Sequence, residues 1–250
     1  MDLADKVAIV TGGARDIGRA IAVKLAASGA SVAINYFNSE ENGQKVLDEI
    51  TDAGGSAIAV RGDMVRAADC ERLVAETREA FGDSIHILVN NVGGLGARKT
   101  LGEMDQDFFE GILRLNLTST FLAMKAAVPH MPAGGSVVNL ASQAGRDGGG
   151  PGASAYAASK GAVMSFTRGM AKELGPSNIR VNCLCPGMIA TSFHDTFTAD
   201  AVRTKVAAGT PLRREGEAAE VADLVAFLAS DASSFITGAS LDINGGLAFS

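Results

Sequence analysis

A phenol and an amine one helical turn apart are the groups in this chain best placed to move a proton. They are Tyr156 and Lys160, in the run Ser154-Ala155-Tyr156-Ala157-Ala158-Ser159-Lys160. Residues four apart share one face of a helix. A phenol with an ordinary pKa of about 10 exchanges protons poorly near neutrality unless its anion is stabilised. An ammonium one turn away supplies that stabilisation, because an opposite charge favours the ionised form. Alone, the pair is a common surface arrangement. Two companions give it meaning: Ser142 at the end of an apolar run, and the segment Thr11-Gly12-Gly13-Ala14-Arg15-Asp16-Ile17-Gly18 near the start.

Bringing these groups together requires a scaffold of alternating elements. Short apolar runs at 7–11, 31–35, 57–61, 85–90, 136–141, 180–185 and 240–243 read as strands. They are nearly continuously apolar, as strands covered on both faces are. Between them lie helical patterns at 17–28, 39–53, 67–81, 105–130, 153–174 and 218–230. This alternation predicts right-handed βαβ crossovers and one parallel sheet. No linker, repeat or low-complexity tract divides the chain, so a single α/β domain over 1–250 is expected, doubly wound on a seven-stranded parallel sheet. Residues 187–217 are the longest stretch without a strand and read as a lid.

Composition narrows the function classes. The 250 residues are 47% hydrophobic and 20% charged, the balance of a globular chain with a sizeable core. A net charge of −6 argues against nucleic-acid binding, which needs a basic footprint. Cys70, Cys183 and Cys185 are odd in number and lack a metal spacing, and the three histidines are far apart, so no metal is expected. Reduced thiols suit the cytoplasm. The start of the chain lacks the features of a signal peptide, and no run of about 18 apolar residues predicts a membrane span.

The glycine-bearing segment follows the first strand and opens the first helix. There, glycines let the backbone approach a pyrophosphate, and free N–H groups at a positive helix end receive it. Taken with Gly62-Asp63-Met64, Asn90-Asn91-Val92-Gly93, Ser142, Tyr156-x-x-x-Lys160 and Pro186-Gly187-Met188-Ile189-Ala190-Thr191, it resembles the short-chain dehydrogenase/reductase family. The resemblance covers about residues 6–246 and is nearest to the 3-oxoacyl-acyl-carrier-protein reductases and similarly built sugar dehydrogenases. It implies a Rossmann fold holding a nicotinamide dinucleotide against Gly12, Ile17 and Gly18. The family pattern has glycine where this chain has Asp16. We read Asp16 as a helix cap whose charge Arg15 and Arg19 offset.

At the end of the second strand, NAD-specific relatives carry an acid for the ribose hydroxyls. Tyr36 stands there instead. Arg15 lies where NADP-using members place a basic residue, with Asn38 and Ser39 as further donors to the 2′-phosphate. NADP(H) is therefore the expected cofactor, with NAD(H) as the alternative. By the same resemblance, Asp63 and the Met64 amide meet the adenine, and Asn90 and Gly93 lie near the adenosine. Pro186, Gly187, Ile189 and Thr191 close over the nicotinamide, with Ile189 and Thr191 at its carboxamide.

The resemblance implies a catalytic set of Asn116, Ser142, Tyr156 and Lys160. Tyr156 gives a proton to a carbonyl oxygen as hydride arrives, and Ser142 holds that oxygen. Lys160 lowers the Tyr156 pKa and binds the nicotinamide ribose. Asn116 has two readings: a residue holding a relay water, or a polar residue satisfied inside its helix. The expected substrate is a small polar carbonyl compound, a keto acid or sugar derivative, met by Gln143, Arg146, Arg98, Lys99 or His194 around the mouth. A carrier-protein substrate is the alternative. Segments 131–135 and 175–178, where carrier-protein reductases are basic, contain no basic residue here. An NADP-binding regulator without chemistry is the third reading. The family also implies a homotetramer, helices 105–130 and 153–174 pairing with their symmetry mates.

Overall fold

The computed structural model describes residues 1–249. Among these residues seven strands form one parallel sheet: β1 (Val7–Val10), β2 (Ser31–Tyr36), β3 (Ser56–Arg61), β4 (Ile87–Asn90), β5 (Ser136–Leu140), β6 (Arg180–Pro186) and β7 (Ser240–Ile243). Their order is β3-β2-β1-β4-β5-β6-β7. The order in which strands are added therefore reverses between β1 and β4, where a doubly wound fold leaves a crevice for a ligand.

Two helical layers cover the sheet. On one side α1 (Asp16–Ala27), α2 (Glu40–Asp52) and α10 (Ala218–Ala229) bury Ile21, Leu25, Val46, Ile50, Val225 and Leu228. On the other, α3 (Ala67–Phe81), α5 (Ser119–Ala127) and α7 (Ser154–Leu174) bury Leu73, Val74, Met124 and Ala171. Strand residues alternate between these layers: Ala8 and Val10 face the first, Ile9 the second. Both faces being covered explains the near-continuous apolar runs.

Most predicted boundaries shift by one or two residues, but two expectations change in kind. The expected single helix over 105–130 is α4 (Gln106–Leu113), a π turn (Arg114–Thr118), α5 and a 3₁₀ turn (Val128–His130). Asp105 starts α4 by accepting from the Phe108 amide at 2.7 Å. The π turn sits at Asn116, and such turns gather at functional sites. The lid also carries two helices, α8 (Ser192–Phe197) and α9 (Asp200–Gly209), and its base is closed by a bridge between Ile189 and Gly216. A short α6 (Ala144–Asp147) follows β5.

Candidate active site

The β1–α1 turn is built for close backbone approach. Gly12 has φ +62°, and a Cβ on Gly18 would lie 2.1 Å from the Gly12 carbonyl oxygen. Only glycine at Gly18 lets α1 start so near the turn. Thr11 Oγ1 accepts from the amides of Asn91 and Val92 at 3.0 and 3.2 Å, fastening the end of β4 to β1. Asn35 Oδ1 accepts from the Gly12 amide at 3.2 Å, and its Nδ2 donates to the Gly62 carbonyl at 2.9 Å. Thr11, Asn35 and Asn91 were not singled out from the sequence. A lone polar residue in an apolar strand was the available signal at Asn35.

Asp16 departs from the expected role. It does not cap α1: the capping position is Arg15, and no side chain bonds there. Asp16 lies inside the first turn with φ +51°, the left-handed conformation that glycine adopts freely and aspartate tolerates. Its carboxylate points into the lid, accepting from the Ser192 amide at 3.0 Å and the Ser192 hydroxyl at 2.5 Å. Arg19 does not offset its charge, being paired with Glu49 at 2.6 Å. Arg15 approaches Asp16 only through Nε at 3.9 Å, and its side chain is 73% exposed.

The residues fit a dinucleotide. The glycine turn, the exposed Arg15 and the Ser39 hydroxyl, which makes no capping bond to α2, line the edge where β1 and β2 end. Tyr36 lays its ring over α2, where a Cβ on Gly43 would come within 2.9 Å of the ring. Asp63 Oδ1 accepts from the Val65 amide at 3.2 Å, shaping the turn that carries the buried Met64. Asn90 Nδ2 donates to Asn139 Oδ1 at 2.8 Å, while Asn90 Oδ1 is buried and unpaired among the described residues. Asn139, which continues the chain to Thr167 Oγ1 at 2.9 Å, was also missed from the sequence.

Tyr156 and Lys160 stand one turn apart on α7, facing the end of β5. Burial pushes the Tyr156 phenol above its ordinary pKa, and the nearby Ser142 hydroxyl pulls the other way. Lys160 is not what moves the phenol here. Its Nζ donates to the Leu140 carbonyl at 2.6 Å, and burial pulls its pKa down to about 8. Gly93 makes this packing possible, since a Cβ there would sit 2.9 Å from Lys160 Nζ and 2.5 Å from Asn116 Oδ1. Asn116 is fully buried and internally satisfied. Its Oδ1 accepts from the Gly94 amide at 2.9 Å, and Nδ2 donates to the carbonyls of Gly94 and Ile112 at 2.9 and 3.0 Å. The side chain bonds mainly outside its own helix and holds the Gly93–Gly94 loop against Lys160.

A buried ammonium is costly even when hydrogen-bonded. Lys160→Met is therefore expected to raise the Tm of the cofactor-free protein by about 5 °C at pH 7. The sign follows from linkage. Below pH 8 the wild type holds a buried charge; between about 8 and 10.5 the folded chain sheds a proton that the unfolded chain keeps, so wild-type stability rises. The gap between variant and wild type should narrow on going from pH 7 to 9.5 in thermal melts. A constant gap would contradict the lowered pKa.

The charged side chains expected at the mouth are largely committed elsewhere. Arg98 donates through Nε to the Phe197 carbonyl and through Nη1 to the Pro151 carbonyl, both at 2.9 Å. Arg146 is turned to β7, where it pairs with Asp242 at 2.6 Å and donates to the Ser240 carbonyl. Lys99 pairs with Asp105 at 3.6 Å and lies over the Phe108 ring. Partners distant in sequence thus engage the charges of Arg98 and Arg146, while Lys99 is engaged by its own neighbourhood. Gln143 remains, buried, with Nε2 on Asp147 at 3.0 Å and Oε1 unpaired among the described residues. His194 meets Thr198 through Nδ1 at 3.0 Å, and burial lowers its pKa. The ring nearest Tyr156 is Phe193 of α8, 6.0 Å away between centroids, and it was not foreseen.

Pro186 ends β6, and Gly187 presses so close to Asn244 that a Cβ would come within 2.8 Å of it. Ile189 is buried under the base of the lid, and Thr191 precedes α8, its hydroxyl donating to the Ile189 carbonyl at 3.1 Å. The segment thus leads from the sheet edge to Phe193, bringing the lid over Tyr156.

Comparison with known proteins agrees with this geometry. Residues 12–248 match the family described as enoyl-(acyl carrier protein) reductase. A 3-oxoacyl-[acyl-carrier-protein] reductase of Staphylococcus aureus is 35% identical over 244 residues, 97% of this chain and 98% of that protein. A short-chain dehydrogenase of Burkholderia cenocepacia, solved in complex with NADP, is 38% identical, with a TM-score of 0.92 over 99% of both chains. A short-chain dehydrogenase/reductase of Serratia marcescens gives a TM-score of 0.93 at 36% identity over 99% of both chains. With the sheet order, the glycine turn and the Ser142–Tyr156–Lys160 arrangement in place, this chain belongs to the short-chain dehydrogenase/reductase family.

Proposed function

We propose that this oxidoreductase passes hydride between a nicotinamide dinucleotide, NADP(H) by preference, and the carbonyl or secondary alcohol of a small molecule. The observation that carries the reading is the Tyr156 phenol, near Ser142 and one turn from a buried Lys160 whose Nζ is held by the Leu140 carbonyl. The bound dinucleotide supplies or accepts the hydride. Tyr156, with its pKa raised by burial, keeps its proton at neutral pH and gives it to the carbonyl oxygen. Ser142 donates to that oxygen as charge develops on it. Lys160 supplies a positive charge near the ring, and Asn116 positions the loop beside it. The substrate lies between Gln143 and the lid, with Phe193 as an apolar wall beside Tyr156.

An acyl-carrier-protein substrate is favoured by the description of the matched family and by the S. aureus relative. Net charge −6 opposes it, because an acidic partner would be repelled rather than steered. A chemically silent regulator is disfavoured by the intact Ser142, Tyr156 and Lys160. NADPH incubated with a panel of small ketones, keto acids, sugars and an acyl-carrier-protein thioester tests all three. Consumption with a small ketone supports the reading. Cofactor fluorescence that shifts without any consumption overturns it.

We also propose a homotetramer in the cytoplasm. Phe121 is 41% exposed on α5 and packs edge-on against Phe166 of α7, so the outward faces of both helices offer apolar contact to a second copy. Light scattering at micromolar concentration should give four times the chain mass; a monomer removes the claim. Among the described residues no helix is long and apolar enough to cross a membrane. The cytoplasmic assignment rests on three buried thiols, with Cys70 pushed up to about 12 and therefore unreactive.

A further inference from the structure

We propose that Asp16 is a positioning residue that latches the lid onto the cofactor turn through Ser192. A carboxylate in the first turn of α1, aimed away from its own helix, accepts two hydrogen bonds from one residue 176 positions away. Both donors, the amide and the hydroxyl, belong to the first residue of α8. Bonds from one residue to both oxygens of a carboxylate fix orientation as well as distance. The opposite end of α8 is also held, since Arg98 donates to the Phe197 carbonyl while gripping Pro151. Two clamps therefore bracket a six-residue helix. Between them Phe193 is set against Tyr156, with Phe197 5.1 Å behind it.

The backbone at Asp16 shows what this arrangement requires. A residue with φ +51° would ordinarily be glycine, and glycine could offer the lid nothing. Aspartate tolerates that conformation and adds the acceptor. The outer lid has an anchor of its own: Arg203 of α9 pairs with Glu215, and it also reaches Asp195 of α8. The latch thus acts directly on α8, and on α9 only through the Asp195–Arg203 pair, while Glu215 still holds α9. The seating of α8 concerns the free chain, while its consequence at Tyr156 rests on the reaction proposed above.

Hydrogen exchange of the cofactor-free protein separates the two. Asp16→Asn and Ser192→Ala should each speed exchange across residues 189–197 by about tenfold, the worth of a hydrogen bond to a charged group. Exchange in 200–209 should change less than in 189–197, because Glu215 still holds Arg203. The double variant should exchange more slowly than the sum of the two single effects predicts, because both variants weaken the same Asp16–Ser192 contact. Ser192→Thr, which keeps amide and hydroxyl, should restore wild-type exchange. In turnover assays the single variants should raise the substrate KM more than they lower kcat. Unchanged exchange in 189–197, or effects that add in the double variant, overturns the latch whatever the substrate proves to be. Changed exchange without a KM effect refutes only the link to Tyr156.

Discussion

Tyr156→Phe is expected to lower kcat by roughly a thousandfold, within the range spanned by the loss of a general acid. Dinucleotide affinity should change less than about twofold, because the substitution removes one hydroxyl and leaves the ring. The ring's packing on Phe193 survives, and so does the buried Lys160 beneath it. What disappears is the proton that burial holds on the phenol. Steady-state kinetics together with fluorescence titration of NADPH check both halves. Residual kcat above about a tenth of wild type would show that another group, or water, protonates the substrate oxygen. A large loss of affinity would show instead that the hydroxyl holds the cofactor.

The parts of this molecule that sequence could show are those fixed by local pattern. Continuous apolar runs such as Val7–Val10 and Ile87–Asn90 announce strands covered on both faces, and their alternation with helices leaves little freedom in topology. The Tyr156 and Lys160 spacing carries over directly because α7 is regular. What local pattern cannot show is set by partners far away. An aspartate at the start of a helix looks like a cap, yet Asp16 is turned by Ser192 across the crevice. Arg98 and Arg146 look like free cations at a mouth, yet Phe197, Pro151 and Asp242 use them. The 105–130 segment looks like one helix because nothing before Pro129 breaks it. Asn116 reaches out to Gly94, and a π turn lies where it does so.

The proposed preference for NADP(H) rests on one exposed guanidinium and one absent acid. Wild type is expected to prefer NADPH to NADH in kcat/KM by tenfold to a hundredfold, since a hydrogen bond to a charged group contributes about 1.5–3 kcal/mol. Arg15 is free to make that contact: its side chain is largely exposed, and the 3.9 Å approach to Asp16 engages only Nε. An exposed pair of that length is worth little and yields to a phosphate. The danger that Asp16 would draw Arg15 inward is removed by Ser192, which occupies both carboxylate oxygens. Arg15→Ala should therefore erase most of the preference by weakening NADPH, with NADH nearly unchanged. Tyr36→Asp should go further and favour NADH, because a carboxylate there accepts from the ribose hydroxyls and repels a 2′-phosphate. Some stability will be lost with it, as the Tyr36 ring packs on α2 at Gly43. Thermal melts beside the kinetics separate that loss from the change in specificity. If wild type favours NADH, the Arg15 assignment fails. If instead Arg15→Ala leaves an NADPH preference intact, the 2′-phosphate is held by Asn38 and Ser39 at the end of β2.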